Sequence, residues 1–547
     1  MVSIISRRVC VALAALALGS MSQELVAQRV TVATFVPLGG ESEQRARLQQ
    51  LLGRDSGSVA GTTSLFRSAS TLSARTRAPR RFALSLIAPE VRVVSNSALP
   101  YSLNDGSLWA GRGANTITRM GVGVDAGRVR LWIAPQLTTS ENKRFQVIPY
   151  PQSDVPRRSE WANPFHPPAS SIDLPFRFGD QPLQRVDAGQ SSLTVELPYI
   201  STGVATENIS WGPGRWNQLV LSDNAAGFPH AFAQTRDGVK TRVGRFDAQW
   251  ILGQLRESDF FDFDSTNNVR SLSGIVVVWT PAFDSAFSIG MARTVLAPTN
   301  LRVISLRSAV DVFRKVGQPD TDPEFATRGP RPDQLISFFA RWRVPQAGVE
   351  AYGEWARFEE PRSIRDLLEF PGHSQGYTLG VQWARPIARL GTFTLQAEGT
   401  NVEPDASIRV RPVATSYTSR AVAQGYTNRG KSLGASIGPG SSSQSVSADL
   451  FGATFRVGAF ASRIRWDNAT LWEPIVPQVK NEDVSVLGGL RGSVTLRATR
   501  LLLEYTRTVR LGYLYQDKIV DPLIGTHSGV DILNRTVSVT LSTYIGR

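Results

Sequence analysis

The sequence predicts an all-β protein: a transmembrane antiparallel β-barrel of about sixteen to eighteen strands, preceded by a short helical periplasmic segment. Three observations predict it. Segments of about ten residues alternate apolar and polar side chains with a period of two, the length a tilted strand needs to cross a bilayer. The polar faces of those segments carry Arg and Glu, which a water-filled or salt-bridged lumen tolerates, and tryptophans sit near strand ends like an interfacial girdle. Connections alternate between short turns and long loops, the habit of barrels with short periplasmic turns and long external loops.

Composition agrees and narrows the choice. The 547 residues are 41% hydrophobic and 19% charged, with a net charge of +14. Aromatic and β-branched residues are plentiful and no heptad persists, which excludes collagen, a coiled coil and bulk disorder. The longest apolar run follows Arg8 and stops near Gly19. As a helix rising about 1.5 Å per residue it is too short for about 30 Å of hydrocarbon. A barrel strand shows lipid only at alternate positions, so a polar average is compatible with crossing by strands.

Taken in order, Met1–Arg8 ends in two arginines, Val9–Gly19 is apolar and Ser20–Ala27 carries small residues. That is the layout of a cleaved secretory signal peptide, expected over 1–27 with cleavage after Ser22 or, preferred, Ala27. The one cysteine, Cys10, falls inside it, so the mature chain has no disulfide, no zinc–thiolate site and no cysteine nucleophile. An exported, cysteine-free chain fits a bacterial envelope protein better than a eukaryotic secreted one, and with the barrel reading the expected location is the outer membrane of a Gram-negative-type bacterium. Residues 28–80 read as a periplasmic, partly helical segment or plug. Glu41–Leu52 places Leu48, Leu51 and Leu52 at helical spacing, with Glu41 and Glu43 in the first turn where the helix dipole favours them. Gly53 then ends the helix. The barrel with its long external loops is assigned to 81–547.

Within the barrel, Leu335–Val344 is the clearest strand. Ile336, Phe338, Ala340, Trp342 and Val344 fall on one face, and Ser337, Phe339, Arg341 and Arg343 on the other. After the turn Pro345–Gly348, Val349, Ala351 and Trp355 continue the apolar face, and Glu350, Tyr352 and Glu354 the polar one. A tight hairpin here sets Arg343 opposite Glu350. The same alternation places Tyr377, Leu379, Val381 and Trp383 toward lipid, and likewise Phe393, Leu395 and Ala397. It gives Phe460, Ile464 and Trp466 to the lipid side and Arg463 and Arg465 to the lumen. The expected lumen lining is Arg245, Arg341, Arg343, Glu350, Glu354, Arg463 and Arg465. The long loops are Thr138–Arg185, Pro298–Gln334 and Pro404–Ser447, and the Gly/Ser-rich part of the last, Ser432–Ser447, reads as mobile. Val537, Val539 and Leu541 form the last strand, after which the terminal aromatic usual in such barrels is displaced to Tyr544.

Motifs for catalysis are scarce. No phosphate-binding loop and no zinc-protease helix occurs. The four histidines, His166, His230, His373 and His527, lack metal-ligand spacing, so no metal and no cofactor is expected. Gly121 and Gly123 read as close packing inside a strand. Glu350, Glu354, Glu398 and Glu504 could supply paired carboxylates for glycoside cleavage, but they read better as lumen ion-pair partners. An exported protein rarely meets nucleic acid, so the positive charge points to acidic glycans, lipopolysaccharide phosphates or lumen salt bridges.

The distinctive stretch is Ser201–Thr235. Trp211-Gly212-Pro213-Gly214 is a rigid aromatic turn, because proline fixes φ and glycine allows positive φ. Arg215, Trp216 and Asn217 follow, then Asp223 and Asn224. An aromatic stacks on sugar rings while guanidinium, amide and carboxylate groups bond to hydroxyls. Trp211, Arg215, Trp216, Asn217, Asp223 and Asn224 are therefore the expected polysaccharide-binding residues.

The run Glu207-Asn208-Ile209-Ser210-Trp211-Gly212-Pro213-Gly214, with Leu221-Ser222-Asp223-Asn224-Ala225 and Gly227-Phe228-Pro229, resembles the capsule assembly Wzi family of outer-membrane barrels. Asn104-Asp105-Gly106-Ser107-Leu108-Trp109 with Gly111–Asn115, Ile172-Asp173-Leu174-Pro175 and Phe178-Gly179-Asp180 carry the same resemblance. It extends from residue 82 to the C-terminus and is weaker beyond residue 260. It implies a monomeric barrel of about eighteen strands, closed at one end by a periplasmic helical element. It further implies a lectin-like, non-catalytic role in anchoring capsular polysaccharide. The helix at Glu41–Leu52 is shorter than the family's helical bundle. The expected partners are capsular or other surface polysaccharide, outer-membrane lipid and lipopolysaccharide, and not nucleic acid. Two rival readings are an anion-preferring porin lined by the arginines above and a barrel-embedded lipid or glycan hydrolase using His230 or His527.

Overall fold

The computed structural model describes residues 31–33, 36–54, 65–72, 82–150, 158–166, 171–299, 308–313, 332–359, 364–405, 415–419, 421–471, 482–521 and 526–543. The expected signal peptide with Cys10, and Tyr544, lie outside these residues.

Eighteen antiparallel strands close a barrel. The first six are β1 (Ala83–Asn96), β2 (Gly113–Ala126), β3 (Val129–Ile133 continued by Gln136–Ser140), β4 (Leu183–Asp187 continued by Ser192–Glu196), β5 (Ile200–Ala205) and β6 (His230–Thr235 continued by Val239–Thr241). Next come β7 (Gly244–Arg256), β8 (Val269–Pro281), β9 (Phe287–Pro298), β10 (Asp333–Val344), β11 (Val349–Arg357) and β12 (Gln375–Ile387). The last are β13 (Gly391–Asn401), β14 (Ser442–Phe451), β15 (Phe455–Arg465), β16 (Val484–Leu496), β17 (Thr499–Leu511) and β18 (Ile532–Thr543). Connections after odd-numbered strands are long, and those after even-numbered strands are short turns, so each barrel end carries one kind.

The seam uses two partners. β18 pairs with β1 from Thr536 opposite Asn96 to Ser542 opposite Glu90. Below that point, Thr31–Ala33 runs parallel to β1 and pairs with Ser85–Ile87. Closure matters because an unpaired backbone group costs several kcal/mol in hydrocarbon, on the order of a lost hydrogen bond or more. Between these regions β1 carries a bulge at Ile87–Glu90. Gly121 lies opposite Ile87 at its edge and Gly123 opposite Ser85, and a Cβ at Gly121 would sit 2.2 Å from the Ile133 carbonyl. The close packing expected there is what the glycines allow.

Alternation sorts most side chains as the sequence indicates. Phe338, Trp342, Tyr377, Leu379, Val381 and Leu395 are exposed on the outer wall, while Ser337, Arg341, Glu350, Glu354 and Thr378 are buried inside. Arg245 is on the inner face and pairs with buried Asp247 at 2.9 Å. Arg343 does stand opposite Glu350 in the register. It sits at the short-turn rim, however, where it donates to the Ser285 carbonyl at 3.0 Å.

β15 is reversed relative to expectation. Its inward residues are Arg456, Phe460 and Ile464, and Ile464 belongs to the main core with Phe460 packed against it. Arg463 and Arg465 share the outward parity of exposed Val457. Trp466, expected in the outer girdle, packs against that core and donates to Ser485 at 2.8 Å. The physical reason is that the lumen is not wet at this level. It holds a protein core, so the bulky Phe460 and Ile464 fill it and the small Ala459 and Ala461 are left outside.

That core is made by chain folded into the barrel. The β5–β6 loop and the β13–β14 loop turn inward, and Leu219, Leu221, Phe228, Tyr417, Tyr426 and Leu433 pack against Leu272, Val276 and Phe339 of the wall. Ser432–Ser447 is therefore not a mobile loop. Ser432, Ala435 and Ser441–Ser443 are all buried. Small residues permit the approach: a Cβ on Gly434 would lie 2.4 Å from the Leu219 carbonyl.

The N-terminal helix, α1 (Glu41–Leu51), packs at the short-turn end. Leu48 and Leu51 pack on Ala384 and Phe451. Glu43 accepts the Gly39 N–H at 2.7 Å at the start of α1. Gly53 at φ +64° ends it. Farther along, Phe66–Ser68 pairs antiparallel with Ile209–Trp211 of the β5–β6 loop.

Candidate functional site

The Trp211–Gly214 turn lies inside the barrel and is held from the wall by three glutamates. Gly212 has φ +96°, and a Cβ there would stand 2.6 Å from Glu354 Oε2, so only glycine fits. Its N–H donates to the Leu65 carbonyl at 2.7 Å. Glu354 also accepts the Leu219 N–H at 3.2 Å. Glu398 of β13 accepts the backbone N–H groups of Arg215 (2.6 Å), Trp216 (3.0 Å) and Asn217 (2.9 Å), and the Tyr352 hydroxyl at 2.7 Å. One carboxylate thereby satisfies three consecutive backbone donors that would otherwise be buried without partners.

Glu350 is the ionic hub. It is fully buried and meets Arg47 of α1 at 2.9 Å, Arg341 at 2.5 Å and Arg215 at 4.0 Å. Arg47 also donates to the Pro213 carbonyl at 3.0 Å. The helix, the aromatic turn and the wall thus share one charge cluster. A second link joins the Leu65–Leu72 stretch: Glu207 accepts the Ser70 N–H at 2.8 Å and hydroxyl at 2.5 Å. Burial pushes the Glu207 carboxyl above its ordinary range.

The six residues expected to bind polysaccharide all belong to this inward loop. Trp211 is fully buried, and its Nε1 donates to Gln249 at 2.8 Å. Arg215 donates to Gln382. Asn217 is buried, donates to Ser443 and accepts from Ser436. Trp216 is half-buried, and its carbonyl accepts from Asn104 at 2.7 Å. Asn224 accepts the Asn104 N–H and donates to the Ser432 carbonyl. Asp223 is half-buried beside Gly106 and Gly39. Enclosure by the barrel pushes its carboxyl up to about 8. Buried Lys431, which donates to the Gly106 and Leu108 carbonyls at 3.1 Å each, is pushed down to about 8.

A separate cavity of about 270 Å³ opens among the long loops. Tyr101, Trp109, Phe165, Trp466, Tyr513 and Tyr515 supply rings to its wall. Arg510, paired with Asp483 by two 2.7 Å bonds, stacks between Trp466 and Tyr513 at 5.2 and 4.8 Å. Buried Ser432 and Thr508 also line the cavity, and their hydroxyl oxygens have no hydrogen-bond partner among the described residues. Of the six expected residues, Asn224 alone reaches this cavity. Sequence reasoning missed the loop aromatics because they lie on four separate connections. The available signal was their concentration in loops, where exposed rings need a reason.

Three of the four histidines have described side chains. His230 lies between Phe228 and Phe232, with Nδ1 2.8 Å from the Phe228 carbonyl. His166 meets Asp467 at 2.8 Å. No cluster of three metal-ligating side chains occurs among the described residues. The side chain of His527 lies outside them.

Comparison with known proteins places this geometry. No curated protein matches the chain. Among solved structures it is similar to Wzi of Escherichia coli, described as an outer-membrane protein involved in group 1 capsule assembly and a carbohydrate-binding β-barrel. That likeness has 11% identity and a TM-score of 0.54 over 83% of this chain and 84% of that one, and is one of fold. OccK2 of Pseudomonas aeruginosa is also similar, with 9% identity and a TM-score of 0.37 over 84% and 98%. Residues 51–449 match the family described as capsule assembly protein Wzi, and the chain belongs to that family.

Proposed function

We propose that this outer-membrane barrel binds a surface polysaccharide on its long-loop side and helps assemble capsule, as a lectin-like protein that does not cleave the glycan. The observation that carries the proposal is the loop cavity. Its rings offer stacking faces for pyranose units, and Ser432 and Thr508, whose buried hydroxyls have no partner among the described residues, can turn them toward the hydroxyls of a bound sugar. A pocket with apolar walls and a few convergent polar groups is the usual form of a small-ligand site. In this reading Asn224 touches the ligand. Trp211, Arg215, Trp216, Asn217 and Asp223 are positioning residues that hold the loop beneath it. The filled lumen supports a closed barrel rather than a conducting pore. The protein works as a monomer in contact with outer-membrane lipid and lipopolysaccharide, and residues 1–27 serve as its export signal.

The test uses purified protein and polysaccharide isolated from the native host. The double substitution Ser432→Ala with Thr508→Val removes both hydroxyls at nearly constant shape. It should weaken retention of the polysaccharide about tenfold, the equivalent of two weak hydrogen bonds, with an unchanged heat-induced gel shift. Undiminished retention would sink the cavity assignment. Deleting the gene should release polysaccharide from cells without stopping its export. Shortening of the polysaccharide by the protein would overturn the non-catalytic reading.

A further inference from the structure

The outer wall of β15, β17 and β18 changes character at one feature. Starting from the short-turn end, the outward residues of β15 are Phe455, Val457, Ala459 and Ala461, then Arg463. On β17 they are Leu501, Leu503 and Tyr505, then Arg507. On β18 they are Leu541, Val539 and Val537, then Arg535. On all three strands the first outward charge is an arginine in the long-loop half.

The register gathers them. Arg507 stands directly opposite Arg535. Arg463 pairs with Val486, and Val486 with Val509, the next outward residue beyond Arg507. With neighbouring strands about 4.8 Å apart, the three guanidinium attachment points fall within about 15 Å across the wall.

Among the described residues, their lack of acidic partners sets them apart. The guanidinium groups of Arg507 and Arg535 form no hydrogen bond or ion pair among the described residues, and Arg463 contacts the neutral Gln444 at 3.3 Å. Other arginines of the same region are matched. Arg465 pairs with Glu403 and Glu482, Arg456 and Arg491 with Asp449, and Arg510 with Asp483. Like charges directly opposite on adjacent strands repel. An arginine facing lipid needs a counter-charge or an aqueous exit. Guanidinium groups in this arrangement suit the bidentate recognition of phosphate.

We propose that Arg463, Arg507 and Arg535 form a binding site for the phosphate groups of a phosphorylated glycolipid of the outer leaflet, with its acyl chains along Tyr505, Val537 and Leu490. The site rests on the outer-membrane reading and is separate from the polysaccharide cavity.

The test uses the full-length barrel in detergent. Diphosphorylated lipid A and the same lipid stripped of phosphate are compared by counting bound lipids in native mass spectrometry. Wild type should retain the phosphorylated form at least tenfold better. Arg507→Gln with Arg535→Gln should abolish that preference while the heat-induced gel shift and polysaccharide retention stay intact. If the double variant does not fold, Arg463→Gln alone should reduce the preference severalfold. Equal retention of the two lipids by wild type, or an unchanged preference in the folded variants, would overturn the site. Full displacement of the lipid by millimolar inorganic phosphate would overturn the assignment to a lipid, and resistance to it would support that assignment. A chain that stays soluble without detergent and shows no heat shift would defeat the membrane reading itself. A heat-shifted barrel that ignores lipid phosphate would defeat only this site.

Discussion

Replacing Glu398 with alanine tests whether the wall carboxylates close the barrel. Glu398 accepts three backbone N–H groups at 2.6, 3.0 and 2.9 Å and the Tyr352 hydroxyl at 2.7 Å. Alanine leaves all four donors buried and unpaired. Each such donor costs about 1–3 kcal/mol, partly offset by no longer burying a carboxylate. The net loss for the folded loop is therefore about 3–5 kcal/mol. The wall should survive, because its strand pairing does not involve the Glu398 side chain. The turn should loosen at residues 215–217, because the side-chain bonds of Arg215 to Gln382 and Asn217 to Ser443 then hold that stretch to the wall without its backbone anchor. Two readouts follow. The temperature of the gel mobility shift should fall, and planar bilayers should show ionic current steps that wild type lacks. Glu398→Gln should lie between, since its carbonyl oxygen still accepts while its amide nitrogen faces donors. An alanine variant with wild-type heat shift and no current would refute the reasoning.

Other expectations follow from the same cluster. Glu350→Gln deprives Arg47, Arg341 and Arg215 of their shared counter-charge; it should destabilise by about 3–5 kcal/mol, read as a lower urea midpoint for the compact gel band. Gly212→Ala imposes φ +96° on a residue with a Cβ and a 2.6 Å clash with Glu354; it should cost about 1–3 kcal/mol by the same measurement. Asp223 holds its proton up to about 8 in the folded protein, whereas an unfolded aspartate loses it near pH 4, about the model-peptide value. Between those limits the folded state binds more protons, so stability should decline as pH rises from about 4 to 8 and then level off. Asp223→Asn should flatten that part of the stability profile measured by gel shift. A slope unchanged in the variant would assign the pH dependence to another group.

The wall was legible because a strand's two faces repeat locally. The Arg343–Glu350 register could be placed from a four-residue turn and two alternating segments. The helix at Glu41–Leu51 was legible from leucine spacing and Gly53. The Trp-Gly-Pro-Gly turn could be recognised as a constraint, since proline and glycine announce their backbone needs. Its place inside the lumen could not. The partners of Glu350 show the difference: its register neighbour Arg343 turns to the rim, and Arg47, 303 residues away in sequence, takes the carboxylate.

The sequence by itself determined the barrel class, the outward apolar belt of strands such as β10 and β12, and the alternation of short and long connections. These depend on period and local turn chemistry. The tertiary structure alone decided which side of β15 faces lipid and which loops fill the lumen. It also decided where free hydroxyls and rings converge. The physical reason is that an inward residue takes its environment from whatever occupies the barrel. Here that occupant is distant chain, so an apolar Phe460 belongs inside and a charged Arg463 outside.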